Sequence, residues 1–278
     1  MAGMKRLQIA VFFGALGALS CSAQQDFTPS PPFESLEHVK TWATASSAVS
    51  VYSNVYKPIA VADGKETYDD AVCPALSDDG TTLTITGDCV DDRGKNWKGQ
   101  ATVVRDGDDR TLTLDKFEGN AGTFTLHQVK VGLHEFEAHL VLGDVTTIDY
   151  TGSVQGDYGA STLWNGSGQV KRQGVFPPNG EVDATTLDEI VDDALCVGQP
   201  ASGSTTLTSG SDTAIITYDG ETDCDSKKNA KLSVNGEDRG LVDGINCAVR
   251  AGGAPGGSSA AAALLLLTAA ALRLRRRA

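Results

Sequence analysis

Residues 111–142 read TLTLDKFEGNAGTFTLHQVKVGLHEFEAHLVL, and this stretch decides the fold. Apolar and polar residues alternate at 111–114, 123–126 and 135–140, as they do on strands with one buried face and one wet face. Turn residues divide these runs, as at Gly132. The pattern predicts consecutive strands joined by tight turns, which is an antiparallel arrangement.

The same pattern continues on both sides of this stretch. Residues 101–104, 145–150 and 161–164 are rich in Thr and β-branched residues, which favour strands. Strands roughly 10 residues apart with turn signals between them are typical of all-β domains. We therefore predict a mostly β protein, an antiparallel meander that forms a barrel or sandwich.

Two helices are predicted beside the strands. Residues 33–53 form a Ser/Ala-rich stretch after two prolines, with Leu36, Val39 and Ala43 on one side, and they predict a short N-terminal helix. Thr186-Leu187-Asp188-Glu189 matches a capping box, with a hydroxyl at the first position and Glu three residues later. This motif predicts a capped helix near 186–195.

A weak internal repeat suggests how the chain is organised. DDAVC at 69–73 returns as DDALC at 192–196, and a second cysteine follows each copy. The repeat predicts one disulfide in each copy, Cys73–Cys89 and Cys196–Cys224. With a break at Phe176-Pro177-Pro178, it divides the chain as follows: an N-terminal helical segment at 24–68, a β domain with the first cysteine unit at 69–176, and the second cysteine unit at 177–250.

The first residues predict export. Lys5 and Arg6 precede an apolar run at 7–19 and then small residues, which is the pattern of a signal peptide at 1–23 that is cut after Ala23. A second interpretation rests on Ala18-Leu19-Ser20-Cys21, which resembles the lipobox of bacterial lipoproteins. That resemblance implies lipidation of Cys21.

The last residues, 251–278, combine a glycine-rich linker, an apolar run at 260–272 and four arginines up to Arg277. This order resembles the bacterial C-terminal sorting tails of the GlyGly-CTERM and MYXO-CTERM types. The resemblance implies transient anchoring, cleavage outside the membrane and delivery to the cell surface, the outer membrane or the medium. It also implies that Cys247 is a processing point. The alternative is a plain single-pass anchor. In both cases only the two ends of the chain are expected to contact the membrane.

Charge excludes one class of partner. The chain has a formal net charge of −13, and both predicted targeting segments contain only basic charges, so the remainder is more acidic still. Nucleic-acid binding depends on basic residues that neutralise phosphates, so no nucleic-acid partner is expected. Acidic turns such as 77–80 and 106–109 are candidate Ca²⁺ sites, and the alternative is that their Asp-Gly pairs are ordinary hairpin turns.

Glu135, Glu137 and His139 are the candidate metal ligands. The stretch HEFEAH at 134–139 lacks the helical spacing of zinc proteases. On a strand, however, alternation places these three side chains on one face, where they would form a divalent-metal site. The alternative is the wet face of a half-buried strand.

Aromatic residues suggest one more kind of site. Trp97, Tyr150, Tyr158 and Trp164 would form a sugar-stacking platform if they were exposed, and core or sheet-face residues otherwise. No nucleophile or phosphate-binding motif accompanies them. We therefore expect an exported, non-catalytic structural or interaction module with a surface partner or glycan as ligand. The alternatives are a carbohydrate- or small-ligand-binding module and a metal-dependent hydrolase.

Overall fold

The computed structural model describes residues 32–51, 53–156, 161–192, 200–219 and 230–242, without the side chains of residues 51, 53 and 54. The predicted signal peptide with Cys21, the second cysteine pair Cys196 and Cys224, the processing point Cys247 and the sorting tail all lie outside the described residues. Within them the prediction of a mostly β protein is confirmed.

Three helical segments precede the strands: α1 at Leu36–Ser46, α2 at Ala48–Val51 and α3 at Ser53–Ala62. Ser35 caps α1, because its hydroxyl oxygen accepts the backbone N–H of His38 at 3.2 Å. The predicted N-terminal helix is thus confirmed, and the helical region continues to Ala62. Of the described helices, not one is both long enough and apolar enough to cross a membrane.

Fifteen strands follow in the described residues. They are β1 Ala75–Asp78, β2 Thr82–Thr86, β3 Cys89–Val90, β4 Asn96–Trp97, β5 Gln100–Asp106, β6 Asp109–Phe117, β7 Asn120–Lys130, β8 Leu133–Leu142, β9 Thr146–Gln155, β10 Thr162–Arg172, β11 Gly180–Val191, β12 Ser202–Ser209, β13 Asp212–Asp219, β14 Ala230–Val234 and β15 Glu237–Val242. Thirteen of them form one antiparallel sheet in the order β1-β2-β5 and then β6 to β15 in sequence. The short pair β3-β4 is inserted between β2 and β5.

The sheet is an open meander. Its hydrogen-bonded order runs from β1 at one edge to β15 at the other, and among the described strands these two edges do not pair with each other. The predicted antiparallel meander is confirmed, and closure into a barrel is not found among the described strands. The sheet also continues across the expected boundary at residues 176 and 177, because β10 and β11 pair from Arg172–Gly180 to Thr162–Val191.

The prediction of a capped helix near 186–195 was wrong. Residues 180–191 form β11, which pairs with β10 and with β12. Alternation supports the strand, because Val182, Ala184 and Thr186 are buried while the residues between them are exposed. Neighbouring strands on both sides thus override the local helix signal, as tertiary context often does.

The core lies between the helices and one face of the sheet, which we call the inner face. There α1 packs against β9, β10 and β12, and α3 packs against β5 and β6. Trp42 of α1 and Phe124 of β7 are fully buried. Burial of each such side chain stabilises the fold by about 2 to 3 kcal/mol. The helices therefore cover the inner face, and the opposite outer face remains exposed.

Candidate functional site

The predicted candidate ligands lie on the outer face of β8. Glu135, Glu137 and His139 are exposed, as alternation along the strand predicts. The intervening Phe136 and Ala138 are buried on the inner face. The three side chains therefore share one face of the strand, and that face is the exposed one.

Two histidine–aspartate pairs lie on the same face, one beside the row and one formed by its own His139. The Nδ1 atom of His127 on β7 lies 2.8 and 2.9 Å from the two carboxylate oxygens of Asp109 on β6. On the other side, His139 contacts the carboxylate of Asp149 on β9 through Nδ1. The hydrogen bond to Asp109 raises the pKa of His127 above its usual 6.5, and Glu135 adds to this effect. The same hydrogen bond lowers the pKa of Asp109.

An open groove of about 810 Å³ runs over this face of β7 to β10. Its lining is mostly hydroxyl, carboxylate and amide side chains: Thr125, His127, Glu135, Glu137, Thr151, Ser153, Asn165 and Ser167. The register explains why they meet, because Thr125, Glu137, Thr151 and Ser167 are directly opposed on four consecutive strands. We call this feature the outer groove. It presents many hydrogen-bonding groups on adjacent paired strands.

The structure does not test the metal assignment of Glu135, Glu137 and His139. Among the residues that the structure describes, no group of three or more His, Cys, Asp or Glu side chains is arranged to hold a metal ion. His139 instead contacts Asp149 on the neighbouring strand β9. The metal site stays a prediction, which metal analysis of the purified protein would decide.

The acidic turns use their carboxylates to hold the backbone. Asp79 accepts the N–H groups of Thr81 and Thr82 at 2.9 and 2.7 Å. Asp91 accepts those of Arg93 and Lys95 at 3.0 and 2.8 Å. Such bonds favour the hairpin interpretation of these turns. Calcium binding by them stays a prediction.

The aromatic residues proposed for sugar stacking belong mainly to the core. Tyr150 and Trp164 are buried on the inner face. Trp97 is half-buried and stacks on Phe117, with ring centroids 5.9 Å apart. Tyr158 lies outside the described residues. Any sugar binding on the outer groove would therefore depend on hydrogen bonds rather than on these rings.

The first predicted disulfide is present. Cys73 and Cys89 are joined, with their Cα atoms 5.9 Å apart. It ties the segment before β1 to the short β3-β4 pair, and Asp70 reinforces this contact by accepting the backbone N–H of Asp92 at 2.6 Å. The Cys196–Cys224 disulfide stays a prediction.

Sequence reasoning missed a polar network on the inner face. Thr205 of β12 donates its hydroxyl proton to Oε1 of Glu189 on β11, and both side chains are fully buried. Nearby on the same face, the hydroxyl groups of Tyr150 and Thr186 share a hydrogen bond of 2.7 Å. Burial raises the pKa of Glu189 to about 8, so its carboxyl is largely protonated at neutral pH. Strict alternation from Val182 to Thr186 indicates a strand, but by itself it would place Glu189 on the outer face, so no local signal marks the buried carboxyl.

A second cleft, of about 540 Å³, opens where the C-terminal end of α3 meets β5 and β6. Arg105 and Arg110 line it, but both side chains are already hydrogen-bonded to other residues of the protein. Arg110 pairs with Asp63 at 2.7 Å, and Arg105 is hydrogen-bonded to Ala62 and Asp78. The outer groove therefore offers the more available polar groups.

No family model, no curated protein and no solved structure matches the chain. The fold and the site define an antiparallel β protein whose inner face is covered by its own helices and whose outer face carries a polar groove.

Proposed function

We propose that the chain is exported and acts at the cell surface as a non-catalytic interaction module, which holds its partner in the outer groove. One observation carries the proposal. The helices cover the inner face, because α1 packs against β9, β10 and β12 and α3 packs against β5 and β6. A partner therefore approaches the outer face, where the groove exposes adjacent rows of polar side chains.

Two features support export. The Cys73–Cys89 disulfide is of a kind that persists in oxidising compartments and is rare in the cytosol of most organisms. The formal net charge of −13 suits a soluble exterior in the surface or extracellular milieu. The signal peptide at 1–23 and the sorting tail at 251–278 are part of this proposal.

A carbohydrate is the second candidate partner. The outer groove supplies hydroxyl, carboxylate and amide groups in adjacent rows, and these are the groups that exchange hydrogen bonds with sugar hydroxyls. The groove lacks an aromatic floor among its described lining except for the edge of Phe136, which is buried. A glycan ligand would therefore bind weakly unless it contacts several rows at once.

The exported full-length product tests the proposal in a binding assay on isolated cell envelopes and on a glycan array. The double variant Glu135→Gln/Glu137→Gln removes both carboxylate charges of the groove while keeping the side-chain size. Glu181→Gln is the matched control, because Glu181 is exposed near the start of β11 and outside the groove.

We expect the double variant to bind at least tenfold more weakly, about 1.4 kcal/mol, while the control binds like the wild type. Signal on the glycan array would select the carbohydrate partner. Equal binding of all three proteins would contradict the proposed role of the groove.

A further inference from the structure

Glu189 reaches the inner face because β11 bulges beside it. Val182, Ala184 and Thr186 point inward, so continued alternation would send residue 189 outward. The pairing with β12 shifts between Leu187 and Ile190, and residues 187 and 188 are both exposed. One extra residue on the outer side thus turns the carboxyl inward, which is the characteristic effect of a β-bulge.

Several contacts fix the bulge. Asp188 has a φ of 51°, in the left-handed region, and its N–H donates to Oδ1 of Asn165 on β10 at 2.9 Å. On β12, a Cβ atom at Gly203 would lie 2.3 Å from the carbonyl oxygen of Asp188, so only glycine fits there. Contacts on three adjacent strands, β10, β11 and β12, therefore hold Glu189 in its buried position.

The surroundings of the carboxyl favour its neutral form. Oε1 accepts the hydroxyl of Thr205, whereas Oε2 has no hydrogen-bond partner among the described residues. Trp164 lies opposite on β10. The buried titratable side chains on the neighbouring strands are Tyr150 on β9 and Tyr218 on β13, and α1 carries His38 and Lys40, of which Lys40 pairs with Glu37. The carboxylates of Asp149 on β9 and of Asp183 and Asp188 on β11 are exposed on the outer side. An ionised carboxylate here would be buried with one hydrogen bond, which is costly.

We propose that Glu189 is a proton-dependent latch, which holds β11, β12 and the overlying α1 together while its carboxyl is protonated and favours their separation when the proton is lost. The step is a simple ionisation: the O–H bond of the carboxyl breaks and the proton passes to solvent as the site opens. Opening would uncover the inner face beneath α1, which packs on the adjacent β9, β10 and β12.

The pH range follows from linkage. In the closed protein the pKa of Glu189 is about 8, against 4.5 for a solvated Glu. The closed form binds the proton more tightly, so its extra stability is fully present below about pH 4.5 and is lost as pH rises to about 8. In that range the opening equilibrium grows about tenfold for each pH unit and then levels off.

Hydrogen exchange of the full chain, followed by mass spectrometry from about pH 5 to 9, tests the latch. After correction for intrinsic exchange rates, we expect protection of β11 and β12 amides to fall about tenfold per pH unit up to about pH 8. In Glu189→Gln, which keeps the shape and cannot ionise, this slope should disappear. Equal slopes in the wild type and the variant would overturn the proposal.

If Glu189→Gln does not fold, the wild type alone still tests the latch, because the pH slopes of its different strands can be compared. The slope should be confined to β11, β12 and α1 and be absent from β6 and β7, which have no part in the bulge. A uniform slope across the whole sheet would instead show that Glu189 affects global unfolding, and the local latch would be rejected.

Discussion

Arg105 of β5 donates two hydrogen bonds to the carbonyl oxygen of Ala62, the last residue of α3, at 3.0 and 2.6 Å. The same guanidinium binds both carboxylate oxygens of Asp78 at 2.9 and 2.8 Å. A cation from the sheet thus caps the negative end of a helix dipole and joins the helix to the sheet.

The first prediction follows from this contact. Arg105→Gln removes the charge and most of these bonds, and we expect it to lower the free energy of unfolding by about 2 kcal/mol. Chemical denaturation measures the change. The control is Arg93→Gln, because Arg93 pairs with Asp69 on the exposed surface and should change stability by less than about 0.5 kcal/mol. Similar losses in both variants would contradict the capping role.

The second prediction concerns the close approach of β9 and β10. A Cβ atom at Gly152 would lie 2.0 Å from the carbonyl oxygen of Asn165, a backbone atom that cannot move aside alone. Gly152→Ala is expected to destabilise the fold by about 3 kcal/mol or more, measured by thermal unfolding. Gly174→Ala is the control, since its Cβ would meet Val145 at an ordinary 3.7 Å. A stable Gly152→Ala protein would show that the two strands separate easily.

The third prediction concerns the Cys73–Cys89 disulfide, which closes a loop of sequence separation 16. The double variant Cys73→Ser/Cys89→Ser should lose about 3 kcal/mol of stability in denaturant unfolding under oxidising conditions. Under reducing conditions, wild type and variant should become alike. A wild-type protein that is insensitive to reductant would contradict a stabilising disulfide.

The fourth prediction concerns the His127–Asp109 pair. NMR titration should give His127 an apparent pKa above 6.5, because the Asp109 carboxylate stabilises the imidazolium. The stabilising effect of the pair is then present below pH 6.5 and is lost as pH rises through that higher value. Asp109→Asn should bring the pKa of His127 down. An unchanged titration in this variant would assign the shift to other groups.

The fifth prediction tests export. Mass spectrometry of the protein recovered from the cell surface or the medium should find an N-terminus after residue 20 or 23, depending on lipidation of Cys21. It should also find that Arg277 has been removed with the tail. An intact Arg277 in the exported product would refute sorting by cleavage and would favour a retained anchor.

Particular residues show how far the sequence could predict this fold. Alternation in 135–140 correctly placed Glu135, Glu137 and His139 outside and Phe136 inside, because a strand with one buried face has period two. The same stretch could not show that His139 would meet Asp149, since that contact depends on strand register. A sequence pattern therefore predicts which face of a strand a side chain occupies, but not which residue of the neighbouring strand it contacts.

The error at Thr186–Glu189 has a related cause. A hydroxyl followed by Glu three residues later has the same letters in a capped helix and in a strand. Pairing with β10 and β12 decided between them, and the bulge then turned Glu189 inward. Neither partner strand is local to the motif, so the buried carboxyl was not predictable from it.

The position of α1 under β9, β10 and β12 has a consequence for how the protein matures. During synthesis α1 emerges first, and its partner strands β9, β10 and β12 begin only at residue 146. At a synthesis rate of about 5 to 20 residues per second, the partner strands of α1 are complete on the order of ten seconds after Trp42 is made. Until then the apolar side of α1 is available to chaperones, and α1 is expected to dock later than α3, whose partners β5 and β6 emerge earlier.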